Sequence, residues 1–160
     1  MSTANPTANS GTEANQGRRL KVVELPDGLE RVFPVIKELR PDLELGDYKR
    51  LVMLAHTADG YRVVAAEVKG EVVGVMGYRI LHDLLHGSHL YIDDLVVTAK
   101  FRSLGHGSAL LNFAEGEARR LGLSGLRLST GTENTEAKKF YEREGWAERS
   151  VSFKKKVPSH

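Results

Sequence analysis

Apolar residues recur every three or four positions in some stretches of the chain and every second position in others. In residues 29–39 they fall at Val32, Val35, Ile36 and Leu39, a helical period that Pro41 ends. A second helix is predicted over residues 45–56, with Tyr48, Leu51, Val52 and Ala55 on one face and Asp59-Gly60 as a turn. Residues 61–68 and 72–80 read as strands joined by the hairpin Lys69-Gly70-Glu71. Gly74 and Gly77 interrupt the second of them, where glycine marks a bulge or a close approach. Residues 89–97 form a third strand. A glycine-interrupted turn then opens a helix over residues 107–121, with Leu110, Leu111, Ala114, Ala118 and Leu121 in one stripe and Gly122 at the C′ position. A β-prone run at residues 20–25, punctuated by Pro26-Asp27-Gly28, precedes the first helix. A short strand (126–130), a helix (135–144) stopped by Gly145 and a last strand (146–154) complete the pattern, with no internal repeat. Strand, two helices, three antiparallel-type strands, helix, strand, helix, strand predicts an α+β domain. Its central twisted sheet is mixed, mostly antiparallel, and flanked by helices on both faces.

Composition narrows the class. Residues 1–17 are mostly Ser, Thr, Asn, Ala and Gly, with Glu13 the single charged side chain, and read as a disordered tail before one domain over residues 18–157. The chain has 41% hydrophobic and 28% charged residues, ordinary for a globular protein. A net charge of +2 with acids and bases interleaved does not indicate nucleic acid. The absence of cysteine removes a thiol nucleophile, a disulfide framework and a thiolate metal site together. No apolar run approaches the roughly 20 residues that span a bilayer, and the N-terminal stretch lacks a secretory signal's apolar core, so a cytoplasmic location is expected.

Chemistry concentrates in Leu95-Val96-Val97-Thr98-Ala99-Lys100-Phe101-Arg102-Ser103-Leu104-Gly105-His106-Gly107-Ser108. A strand enters an Arg-x-x-Gly-x-Gly turn that opens straight into an amphipathic helix. Unpaired N–H groups at a helix start, the helix dipole and close backbone approach at glycine together make a pyrophosphate cradle. Arg102 adds a charge-assisted contact. A dinucleotide fingerprint fits less well: Leu110 stands where its third glycine or alanine belongs, and the next strand offers no acid. No Gly-Lys-Ser/Thr follows, so a P-loop fails too.

The segment from Tyr91 to Trp146 resembles the acetyl-CoA-binding half of the GNAT superfamily of N-acetyltransferases. The Arg-x-x-Gly-x-Gly turn looks like that family's most characteristic motif. The run Asn134-Thr135-Glu136-Ala137-Lys138-Lys139-Phe140-Tyr141-Glu142-Arg143-Glu144-Gly145-Trp146 is similar to its second. The resemblance implies acetyl-CoA as co-substrate, held by the strand of Leu95, Val96 and Val97. The backbone of Leu95 and Val97 is expected to meet the pantetheine arm. The turn of Arg102, Ser103, Leu104, Gly105, His106, Gly107 and Ser108 is expected to hold the pyrophosphate, and Asn134 to contact the CoA arm. Tyr141 matches the tyrosine that protonates the departing thiolate; a phenol near pKa ~10 can donate to a thiolate whose conjugate acid lies near ~8.5. Asp93 matches an acidic position carried by some small-amine acetyltransferases and is the expected general base.

Asp93 and Asp94 are successive strand residues, so alternation sends them to opposite faces. Glu67 and the His82/His86 pair are further candidate bases. His82-Asp83-Leu84-Leu85-His86 also has the i, i+4 spacing of a helical metal pair, but it is not His-Glu-x-x-His and Gly87 follows at once, so no metal is expected. No Gly-x-Ser-x-Gly occurs, which leaves direct attack in a ternary complex. The expected activity is transfer of an acetyl group to a primary amine of a small molecule. Alternatives are a protein lysine or N-terminal acetyltransferase, and a non-catalytic acyl-CoA-binding sensor. The expected partner is the amine acceptor, without nucleic acid or membrane; a homodimer is compatible with the resemblance.

Overall fold

The strand β2 (Arg62–Val68) is buried on both sides: Val63, Val64, Ala65 and Ala66 are all at most 1% exposed. An unbroken apolar run of this kind needs cover on each face of the sheet. In this computed structural model, which describes residues 17–159, the cover comes from helices. Two compact units are present, one ending at Arg127 and one starting at Leu128. The expected tail, residues 1–17, falls outside the described residues but for Gly17.

In the first unit, β1 (Arg19–Val22) pairs antiparallel with β2, β2 with β3 (Glu71–Asp83), and β3 with β4 (Gly87–Val97). The sheet order is β1-β2-β3-β4-β5, with β5 at Leu126–Leu128. On one face, α1 (Leu29–Leu39) and α2 (Leu45–Asp59) press Leu29, Val32, Ile36, Tyr48 and Val52 against Val63, Ala65, Val75 and Val96. On the other, α3 (His106–Arg120) brings Phe113 edge-on to Tyr78 at 6.4 Å and lays Leu110 over Gly74. Full burial of side chains such as Leu29, Leu90 and Leu110 is worth roughly 1.5–3 kcal/mol each. The α+β architecture with helices on both faces of the sheet thus follows the hydrophobic pattern.

Besides shifts at the ends of β1, α2 and β4, three features differ from the pattern. β3 runs on to Asp83, so His82 lies in a strand and Leu84 to His86 form the turn of a hairpin; His82 and His86 share no helix face. β5 is shorter than predicted. The third difference is in the second unit, where α4 (Thr135–Arg143) is the single helix among the described residues and no strand forms over residues 146–154. Val151 and Phe153 there are 73% and 95% exposed. Their alternation suits a strand, but a strand exists only when its backbone finds a partner edge.

A bulge in β4 decides where the acids point. Gly77 faces Asp94 and Tyr78 faces Ile92, leaving Asp93 as the extra residue. Alternation is reset at that point, so Asp93 and Asp94 both reach the α1–α2 side of the sheet. Adjacent strand residues were expected on opposite faces; the bulge corrects that expectation.

Candidate acyl-transfer site

Backbone direction along the end of β4 comes from its hydrogen bonds. Thr98 N donates to Val73 O at 2.9 Å, and Val96 O lies against Gly74, so Val96 and Thr98 turn their peptide groups toward β3. Leu95 and Val97 therefore turn theirs away from β3, as the alternation of an antiparallel ladder requires. β5 meets β4 at its other end: Ser124 N donates to Ser88 O at 2.8 Å and Leu90 N to Gly125 O at 3.0 Å. The amide edge at Leu95 and Val97 can pair with an extended arm, as a neighbouring strand would. Val96 is a different kind of residue, its side chain buried in the core.

Beyond Val97 the chain turns through a 3₁₀ segment (Ala99–Phe101), anchored where Ala99 N donates to Glu38 Oε1 at 3.2 Å. Arg102 folds back, its Nε donating to Val97 O at 3.2 Å, which uses one of the five donors of the guanidinium. Ser103 and Gly105 both adopt the left-handed region, φ 62° and 81°. The turn ends on Gly105 as the N-cap of α3, with no side chain capping the helix. The first amides of a helix have no intrahelical acceptor, so those of His106 and Gly107 are presented at the positive end of the dipole. Arg18, 87 residues away, donates to Gly105 O at 3.1 Å. It brings a second cation to the turn, which the sequence reading missed because no local motif marks it. His106 is 1% exposed; burial, with Arg18 alongside, holds its imidazole below the ordinary range, and its Nε2 has no partner among the described residues.

A cavity of about 610 Å³ opens on the α1–α2 side of the sheet, within the range of small-molecule sites. Its polar groups are Arg40, Asp42, Tyr48, Tyr61, Arg79 and Asp94. Asp94 Oδ2 accepts from the Tyr61 hydroxyl at 2.8 Å, and Oδ1 accepts from Arg40 at 3.1 Å. Gly77 makes room for that arrangement, since a Cβ there would sit 1.6 Å from the Tyr61 hydroxyl oxygen. The Tyr48 hydroxyl is buried without a partner among the described residues. An orphaned buried hydroxyl costs on the order of 1–3 kcal/mol, so this one favours a ligand or a water. Burial first, and the negative charge of Asp94 next, push both tyrosine hydroxyls far up, so they stay neutral donors.

Asp93 stands differently. Arg79 grips it in a fork, Nε to Oδ2 at 3.0 Å and a terminal nitrogen to Oδ1 at 2.8 Å, while the other terminal nitrogen reaches Asp59 at 2.7 Å. Burial raises the Asp93 carboxyl against the pull of Arg79. The same guanidinium lies 5.4 Å over the Tyr61 ring. Glu67 pairs with Arg31 in another depression and does not line the cavity. His82 contacts Ser88 Oγ at 2.7 Å and His86 contacts Asp83, both on the hairpin.

In the second unit Asn134 is the N-cap of α4, its Oδ1 accepting from Ala137 N at 3.1 Å. The cap leaves the amide's N–H₂ end as the part suited to a ligand. Tyr141 packs between Phe140 (5.3 Å) and Trp146 (6.0 Å), and burial raises its phenol.

Residues 25–146 match the Acetyltransferase (GNAT) family. The chain is 32% identical over 126 residues to the uncharacterised N-acetyltransferase YhdJ of Bacillus subtilis (strain 168), a match covering 78% of this chain and 89% of that protein. It is 38% identical over 87 residues to the aminoalkylphosphonate N-acetyltransferase of Salmonella typhimurium (strain LT2), covering 54% and 56%. Among solved structures, AAC(6')-Iy in complex with the bisubstrate analogue CoA-S-monomethyl-acetylneamine shares the fold, with a TM-score of 0.73 at 18% identity over 89% of this chain and 100% of that one.

Proposed function

The chain belongs to the GNAT family of acetyltransferases, and from that premise we propose that it transfers the acetyl group of acetyl-CoA to a primary amine of a small molecule by direct attack in a ternary complex. That it is an acyltransferase using acetyl-CoA follows from the family. The observation that supports a small acceptor is the cavity at Asp94: the carboxylate lines it, and the outward amide edge begins one residue later, at Leu95. In this reading, acceptor and acyl arm take adjacent positions on one strand. The family match runs over residues 25–146, most of the single domain we place at residues 18–157.

The groups have the following roles in this reading. The backbone at Leu95 and Val97 binds the pantetheine arm; the turn from Arg102 to Ser108, with Arg18, binds the pyrophosphate; the Asn134 amide meets the arm. Asp94 takes the proton of the incoming ammonium, directly or through a water, because only a neutral amine has the lone pair to attack. The nitrogen then forms a bond to the thioester carbonyl carbon, the C–S bond breaks, and the thiolate receives a proton from the Tyr141 hydroxyl. The proton still on the new amide nitrogen restores Tyr141, and one proton per turnover leaves to solvent by way of Asp94. Asp93, the base that the family resemblance implies, is gripped by Arg79; we assign it to holding that guanidinium over Tyr61.

Initial velocities measured over a grid of both substrates test the mechanism. Ternary-complex attack gives intersecting double-reciprocal lines. Parallel lines signal an acyl-enzyme and contradict the reading.

A further inference from the structure

Charge around the cavity is unbalanced. The two guanidinium groups that line it, Arg40 and Arg79, face four carboxylates: Asp42 and Asp94 in the lining, and Asp93 and Asp59 behind Arg79. Arg79 spends Nε and both terminal nitrogens on Asp93 and Asp59, and Arg40 bonds Asp94. An anionic group entering the cavity would meet two cations that already carry carboxylates, and it would be repelled by the four carboxylates around them. A cation would find a surplus of negative charge and, on Asp94, carboxylate oxygens with accepting capacity left. The unpartnered Tyr48 hydroxyl is a further acceptor for an N–H.

The remaining wall is apolar, with Ile36, Leu39, Leu51, Val52 and Ala55 among its residues. Such a wall rewards contact with an apolar body and gives nothing to the hydroxyls of a sugar, which lose water without gaining a partner. We infer that, granted acetyl transfer to a small amine, this cavity takes a primary amine that arrives as a cation on a compact apolar body. It discriminates against amines that bear an anionic group and against polyhydroxylated amines.

The test is calorimetric binding to the full chain saturated with CoA, so that the readout does not depend on turnover. The probes are 2-phenylethylamine, phenylalanine (the same body with a carboxylate added), 2-aminoethylphosphonate and glucosamine. 2-Phenylethylamine is expected to bind about 100-fold tighter than the other three. Equal or tighter binding of any of those three, or no binding of 2-phenylethylamine, overturns the inference. Leu51→Arg, at a cavity position that is 47% exposed and so tolerant of substitution, is expected to weaken 2-phenylethylamine binding by about tenfold or more while CoA still binds. Unchanged affinity in that variant also overturns it. Selective binding without acetylation of the bound amine would refute the transferase reading and leave the inference standing; acetylation of glucosamine or the phosphonate in preference would do the reverse.

Discussion

At the scale of single residues, two adjacent carboxylates take different roles in the proposed reaction. Asp94→Asn removes the proposed proton acceptor from the cavity and is expected to lower kcat by about 10²- to 10⁴-fold while the acetyl-CoA Kd changes little. Asp93→Asn releases Arg79 and should act more mildly, chiefly through KM. Steady-state kinetics of the two variants side by side decide between them: a larger kcat loss in Asp93→Asn would return the base to that residue. His106 supplies a pH prediction. Its imidazole titrates below the ordinary range in the fold, so the unfolded chain binds the proton more readily. The contribution is complete above about pH 6.5 and is lost as pH falls from there toward the folded value. Urea midpoints at pH 7.5 and 5.5 should therefore lie closer together in His106→Gln than in the wild type; an unchanged gap contradicts the assignment.

At the scale of elements, two glycines fix the site. Gly105 ends the turn at φ 81°, where an L side chain costs about 1–2 kcal/mol, and the turn it closes is the one proposed to hold the pyrophosphate. Gly77 admits the Tyr61 hydroxyl to Asp94. Gly77→Ala is expected to cost about 1–3 kcal/mol in denaturant unfolding and to raise KM for the amine by displacing Tyr61; a variant with native stability and KM would refute the packing argument. The sequence already marked Gly77 as a place of bulge or close approach; it is a close approach, and the bulge lies opposite it in β4. What local alternation could not contain is the bulge register. Asp93 and Asp94 look like neighbours on opposite faces until the partner strand is known, and the extra residue then turns both to one side. Val151 and Phe153 fail in the complementary way: their pattern is that of a strand, and no partner edge pairs with it.

At the scale of the molecule, the helices and strands that carry the site were legible because each announces itself locally. The 3.6-residue stripes of α1 and α3, the hairpin glycine at Gly70 and the strand–Arg-x-x-Gly-x-Gly–helix run all do so. The cavity at Asp94 was not legible, since it is assembled from α1, α2, β3 and β4 across many residues and its residues share no motif. Arg18 at the glycine turn escaped for the same reason. Among the described residues no helix is long and apolar enough to cross a membrane. The most direct test of the central claim is CoA release from acetyl-CoA, followed with a thiol reagent across a panel of primary amines for the wild type and Tyr141→Phe. Amine-dependent release is expected, falling by about 10²- to 10⁴-fold in the variant with acetyl-CoA affinity retained. Acetyl-CoA binding with no release on any amine, or full activity in Tyr141→Phe, would contradict that claim.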